Sequence, residues 1–414
     1  MKNNIGNTGL DVYLWDEKVG RLWLDEKRRF VFQYDTAWIN KKGAIPLSLQ
    51  LPLRTETYPD DLSRPFFSNL LPEAEIKRII AQRLQISVSN DFAMLNSIGG
   101  ECAGAVSVLS SGVAPAVKPG YQELNEEDLH KIIIDLPRRP LMAGMEGMRL
   151  SLAGAQNKLP VYIEGDRIFI ASGNAPSTHI LKPLIRDLEN TVENETFCMM
   201  LAQKMGLPAP QVKICRGLDE LFIIARYDRS RDKDGHIVRL HQEDFCQALG
   251  FLPDQKYESE GGPSLKNCFT LLQKKSIRPA ADRMALLRWT IFNFLIGNAD
   301  AHAKNLAMIF TERGPRLAPF YDLICTQVYL DLIDKHAMRI GGENRPSWIR
   351  QKHWEKLGQA VAIKSSLVLK ILKDMSGSII PEAQVLLNDF KKAHGSSGII
   401  EKIIAVIEKR AGAI

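Results

Sequence analysis

The sequence predicts an α+β chain folded as two or three packed units, on three observations. Its 414 residues are more than one compact core serves. Apolar residues at 45% and charged residues at 25% are the proportions of an ordinary globular protein. Short runs rich in aromatic and β-branched residues prevail up to Gln242, and helical patterns prevail after it.

From Leu10 to Ile39 the runs LDVYLW, VGRLWL and FVFQYDTAWI, separated by charged turns, predict an antiparallel meander. PFFSNLLPEAEIKRIIAQRLQ then predicts a helix that starts at Pro72, with Glu73 and Glu75 in its first turn and Ile76, Ile79, Ile80 and Leu84 on one face. SIGGECAGAVSVL leads into a buried strand, and SSGVAPAVKPGYQ has the composition of a linker. KLPVYIEGDRIFIAS reads as a hairpin and STHILKP as a strand ending at Pro183. ENTVENETFCMMLAQKMGL is a helix stopped by Gly206, and two strands follow in LPAPQVKICRG and ELFIIARYDR. RPAADRMALLRWTIFNFLIG is a buried helix with Pro279 in its first turn and Gly297 at its end, followed by a hairpin, LAMIF to RLAPF, and further helices.

The net charge of +6 is spread along the chain, which permits an acidic partner without requiring one. Cys102, Cys198, Cys215, Cys246, Cys268 and Cys325 form no CxxC pair and lie in apolar segments, as buried free thiols of a reducing compartment do. The start has no signal-peptide pattern, and no apolar run reaches the roughly 18 residues of a membrane span. The expectation is a cytoplasmic protein with no membrane partner.

Chemistry concentrates in GNADAHAKNLAMIF. Asp300 and Asn305 stand at the DxxxxN spacing of a kinase catalytic loop, where the Asp takes the acceptor hydroxyl's proton and the Asn holds magnesium; a polar loop satisfying its own backbone gives the same residues. The hairpin that follows leads to Asp322, placed as a second acidic metal ligand. Lys182, at the end of a strand, suits the cation that meets nucleotide phosphates, with Glu195 on the next helix as its orienting partner and Glu193 as the second choice. Ala153, Gly154 and Ala155 are small enough for backbone amides to approach a phosphate, although the stretch is neither GxGxxG nor GxxxxGK[ST] and also reads as a plain turn.

Together MRLSLAGAQNK, STHILKP, RYDR, LHQEDFCQALG, GNADAHAKN, YDL and the N-terminal NLLPE resemble the HipA family, serine/threonine kinases that act as bacterial toxins in toxin–antitoxin pairs. The motifs occur in the family's order over nearly the whole chain. The resemblance implies a divergent two-lobed protein-kinase-like fold: a β-rich N-terminal subdomain over 1–110, a linker and helix over 111–145, a kinase N-lobe over 146–245 and a helical C-lobe over 246–414. It implies ATP and Mg2+ as nucleotide and metal. Asp300 is then the base, with Asn305 and Asp322 on magnesium and Lys182 on nucleotide phosphates. Ala153, Gly154, Ala155, Gln156, Asn157 and Lys158 form the phosphate loop; Glu243, Asp244 and Phe245 form the hinge beside adenine; His302, Ala303, Lys304 and Tyr321 complete the nucleotide pocket.

By the same resemblance Ser151 is the site of silencing autophosphorylation, with a capping or packing role as the alternative, and Arg149 and Lys158 stand near it. The implied partners are a HipB-like DNA-binding antitoxin, operator DNA mainly through that antitoxin, and a protein substrate such as glutamyl-tRNA synthetase or another aminoacyl-tRNA synthetase. The competing expectation is an antitoxin-binding transcriptional corepressor with little or no kinase activity. Several kinase hallmarks are absent: His and Arg do not precede Asp300, and no Gly follows Asp322 and Leu323.

Overall fold

The computed structural model describes residues 9–115, 120–143 and 150–413. Arg149 and part of the expected linker lie outside the described residues. These residues form two units: the first takes those up to Leu181 with Asp228–Pro253 and Ile309–Thr311, and the second takes Lys182–Tyr227, Asp254–Met308 and those from Glu312 onward.

In the first unit the N-terminal runs form an antiparallel sheet. Glu17–Leu24 lies between Leu10–Leu14 and Phe30–Tyr34, and Val106–Ser110 covers the other edge of Leu10–Leu14. Period-2 alternation puts Phe30, Phe32 and Tyr34 on the buried face, where Phe32 meets Phe67 with ring centroids 5.5 Å apart. Burying each such ring is worth about 1.5–3 kcal/mol.

Two helical assignments differ from expectation. Phe66 and Phe67 belong to a separate helix, Asp60–Ser68, and the next helix is Ala74–Arg83 with Glu73 at its N-cap. Pro72 therefore precedes the cap and does not open the helix. A further helix, Asp91–Ile98, starts where the Asn90 side chain accepts from the Ala93 N–H at 3.1 Å.

The expected hairpin is present as Leu159–Glu164 and Arg167–Ser172. Gly120–Leu124 pairs with its second strand, so the end of the supposed linker is a sheet edge, and Leu159 pairs with Leu181 on the other side. Residues 241–251 join this unit through polar contacts with residues far earlier in the chain. Ser48 Oγ and the Leu49 N–H donate to the Glu243 carboxylate at 2.6 and 2.8 Å, Gln247 Nε2 donates to the Phe66 carbonyl at 2.9 Å, and Asn69 Nδ2 donates to that of Phe251 at 2.8 Å.

The second unit carries the hairpin Val212–Arg216 with Glu220–Ala225 and the helices Thr191–Lys204, Leu265–Lys275, Pro279–Ile296, Gln351–Ala360, Ser365–His394 and Gly398–Ala411. Pro279 sits where an N–H has no helical partner, and Gly297 ends its helix in the left-handed region at φ 71°. Among the described residues no helix is long and apolar enough to cross a membrane. All six cysteines are free; five are buried, and Cys215 is half-buried, unlike the expectation for it.

Two buried histidines set a pH dependence. Burial pushes His241 and His336 down to about 4 from 6.5. Between those values the unfolded chain binds more protons than the folded one, so stability falls as pH drops through this window, by up to roughly 3 kcal/mol per histidine. Urea unfolding should show a loss from pH 6.5 to pH 4.5, and His241→Asn should flatten that slope.

Candidate active site

The catalytic-loop motif begins where the helix Pro279–Ile296 stops. A Cβ on Gly297 would lie 2.7 Å from Val406 Cγ1, so only glycine makes this turn without strain. Asn298, fully buried, then ties the loop together: its Oδ1 accepts from the Asp300 N–H at 3.1 Å, and its Nδ2 donates to Asn293 Oδ1 at 2.8 Å and to the Asp322 carbonyl at 3.3 Å. Thr326 Oγ1 accepts from the Ala299 N–H at 2.8 Å, and the Tyr321 hydroxyl donates to the Lys304 carbonyl at 2.6 Å. His302, Ala303, Lys304 and Asn305 are buried, while Asp300 is exposed. The loop thus presents one carboxylate to solvent on a framework closed by hydrogen bonds.

Lys182 lies at the end of the strand His179–Pro183 and is only 7% exposed. Its Nζ donates to Glu195 Oε1 at 2.7 Å and also to the Asp322 carboxylate. Burial works against the charge on Lys182, but the two carboxylates prevail and raise its pKa above the usual lysine value, keeping it an ammonium. Glu193 instead faces Arg216 at 3.6 Å, so Glu195 is the helix carboxylate that meets the lysine. One residue before Glu195, Asn194 exchanges two 2.9 Å hydrogen bonds with the backbone of Cys325, which holds the segment after Asp322 against the same helix. Asp322 adopts φ 53°, a left-handed conformation that Asp tolerates better than most residues. Its side chain is 42% exposed, and a carboxylate is the kind of oxygen ligand a hard cation takes.

The remaining candidates belong to the first unit. Gly154 has φ 112°, and a Cβ there would lie 2.6 Å from Lys158 Nζ, which donates to the Ala153 carbonyl at 2.5 Å. Ala155 is exposed, Gln156 and Asn157 are half-buried, and Asn157 Oδ1 is a buried acceptor with no hydrogen bond. Ser151 is fully buried; its hydroxyl donates to the Leu70 carbonyl at 2.7 Å and its N–H to the Glu101 carbonyl at 2.8 Å. Glu243 turns its side chain toward Ser48 and Leu49, Asp244 caps the helix Phe245–Leu249 in a capping box with Gln247, and Phe245 is core.

Several residues of the site escape sequence reasoning. Asn298 is legible as the neighbour of Gly297, but Asn194 and Thr326 act on partners across tertiary contacts and carry no spacing signal. Tyr257, whose hydroxyl donates to Asp300 Oδ1 at 2.7 Å, has none either. A cluster of Asp232, Asp234 and His236 lies elsewhere, on an exposed turn.

Residues 10–109 match the family model described as the HipA N-terminal domain, and residues 150–382 that described as the HipA-like C-terminal domain. The chain is 41% identical over 407 residues to the Y4mE protein of Sinorhizobium fredii, covering 96% of each chain. It is 32% identical over 356 residues to the serine/threonine-protein kinase toxin HipA of Shewanella oneidensis, covering 82% of this chain and 80% of that one. A solved Shewanella oneidensis complex of HipA, HipB and operator DNA aligns with a TM-score of 0.84 at 28% identity, covering 97% of each chain. The fold is therefore α+β and protein-kinase-like. The chain belongs to the HipA family.

Gly297→Ala should lower the unfolding free energy by about 2 kcal/mol, from the left-handed backbone and the contact with Val406. Urea titration measures this, and adding Val406→Ala should recover only the steric part.

Proposed function

We propose that this chain is an ATP- and magnesium-dependent serine/threonine protein kinase and the toxin half of a type II toxin–antitoxin pair. The observation that carries the reading is the buried Lys182 ammonium between Glu195 and Asp322. A positive group fixed on a strand beside a carboxylate loop is the device phosphoryl transfer needs, because that reaction is catalysed by positioning and charge stabilisation.

The residues fit both implied groups. Asn305 and Asp322 are hard oxygen donors and would hold magnesium. Bound there, the metal would offset negative charge on the transferring phosphate. Lys182 meets nucleotide phosphates, and Ala153 to Lys158 cradle them: the positive φ of Gly154 and the Lys158 ammonium held beside it suit an anionic ligand. Backbone groups of Glu243 to Phe245 meet the adenine edge, and His302, Ala303, Lys304 and Tyr321 line the pocket. Asp300 takes the proton of the acceptor hydroxyl as its oxygen attacks the terminal phosphorus of ATP and ADP leaves.

Ser151 is the self-silencing site in this reading. Its hydroxyl is buried against Leu70, and a phosphate bearing nearly two negative charges cannot remain there, so modification expels the phosphate loop. The Shewanella complex supports a HipB-like antitoxin as partner, with operator DNA reached mainly through it. The acceptor protein is an aminoacyl-tRNA synthetase, glutamyl-tRNA synthetase being the first to test.

Because that same complex holds HipA with HipB and operator DNA, a second reading is an antitoxin-binding corepressor with little or no kinase activity. Thermal shift separates the two: ATP with magnesium should raise the melting temperature of a kinase, and no response would favour the corepressor. Incubation with ATP and magnesium, followed by mass spectrometry, should find phosphate on Ser151 in the wild type and none in Asp300→Ala. Phosphate persisting in the variant would overturn the assignment of Asp300.

A further inference from the structure

Although Asp300 is exposed, its Oδ1 already has a partner. Tyr257, 43 residues earlier, donates its hydroxyl to that oxygen at 2.7 Å. The phenol ring is half-buried, set edge-on to His302 with centroids 5.4 Å apart and planes at 75°, and Lys256 Nζ lies 5.3 Å from its centroid.

The backbone delivers this ring. The Glu258 N–H donates to the Ala337 carbonyl at 3.1 Å, and the Ala337 N–H donates to the Ala299 carbonyl at 2.9 Å, so residue 337 links the tyrosine segment to the catalytic loop. The Arg339 N–H donates to the Glu258 carboxylate at 2.6 Å. Behind Tyr257 the chain closes so tightly that a Cβ on Gly262 would stand 2.0 Å from the Gln255 carbonyl oxygen. A ring held this way is not a surface side chain in one of many equal rotamers.

The contact has the geometry of an acceptor complex. A general base takes a proton only from a hydroxyl within about 2.6–3.2 Å, and the phenol occupies that place. We propose that Tyr257 defines the acceptor subsite: its hydroxyl stands in for the acceptor's at Asp300, keeps water off the Oδ1 oxygen while no protein is bound, and is displaced by an incoming serine or threonine hydroxyl. The proposal rests on the reading of Asp300 as the base. Its consequence is that a free hydroxyl or water competes with Tyr257 for one carboxylate oxygen, so ATP is protected from hydrolysis until an acceptor enters.

Removing only the phenolic oxygen leaves the ring packed on His302 and opens room for a water at Asp300. In hydrolysis that water's oxygen would bond to the terminal phosphorus, its proton would pass to Asp300, and ADP would leave. The test is steady-state ADP release by the full chain with ATP and magnesium, for wild type, Tyr257→Phe, Asp300→Asn and the double variant. Tyr257→Phe should release ADP roughly 3- to 10-fold faster, the factor one ordinary hydrogen bond is worth. The KM for ATP should be unchanged, and the double variant should fall to the level of Asp300→Asn.

A Tyr257→Phe rate equal to or below wild type, with KM for ATP unchanged, would assign Tyr257 a positioning or packing role and overturn the proposal. Phosphate found on Tyr257 would overturn it too, by making the residue an acceptor. Turnover in Asp300→Asn equal to wild type would instead remove the base assignment, and this proposal with it.

Discussion

An ammonium group nearly sealed from water is the constraint around which the second unit is arranged. Lys182 is 7% exposed, and a charge in that position is tolerated only when it is paired and hydrogen-bonded. Two carboxylates meet that demand from different elements, Glu195 from a helix and Asp322 from the segment after a hairpin. Each is in turn held. Asn194 fixes the backbone at Cys325, Asn298 fixes the carbonyl of Asp322, and Tyr321 reaches back to Lys304. The strand end, the helix and both loops therefore share one electrostatic requirement, and a change in any of them alters the surroundings of that charge.

The first unit applies buried polar contacts differently. Residues 47–69 and 241–251 are joined largely by side chains that satisfy backbone groups, and the Glu243 carboxylate accepts from both the Ser48 hydroxyl and the Leu49 N–H. Ser151 is bound in the same manner, its hydroxyl spent on Leu70. Because an unsatisfied buried polar group costs about 1–3 kcal/mol, such contacts favour one arrangement over many similar ones.

Elements whose ends carry their own signals are legible in the sequence. Pro279 and Gly297 mark both ends of one long helix, and the alternation of KLPVYIEGDRIFIAS places both strands of its hairpin. The helix expected from Pro72 is present but starts at Ala74, and the preceding Phe66 and Phe67 pack on the N-terminal sheet from a helix of their own, which local pattern does not separate from the next. At the site, what the structure brings together from the sequence reading is Lys182 with Glu195 and Asp322, residues singled out because phosphoryl-transfer chemistry prescribes residue types at set spacings. The preference for Glu195 over Glu193 agrees with the helix phase, which turns Glu193 to Arg216 and Glu195 to Lys182. Tyr257 and Asn194 are invisible beforehand, since each meets its partner only through tertiary folding.

We propose that Asp322, which contacts Lys182, is the carboxylate through which magnesium strengthens nucleotide binding. Calorimetric titration of ATP with and without magnesium, on wild type and Asp322→Asn, tests it directly. The expected result is tighter ATP binding with magnesium in the wild type and no such gain in the variant. An equal gain in both proteins would contradict the account.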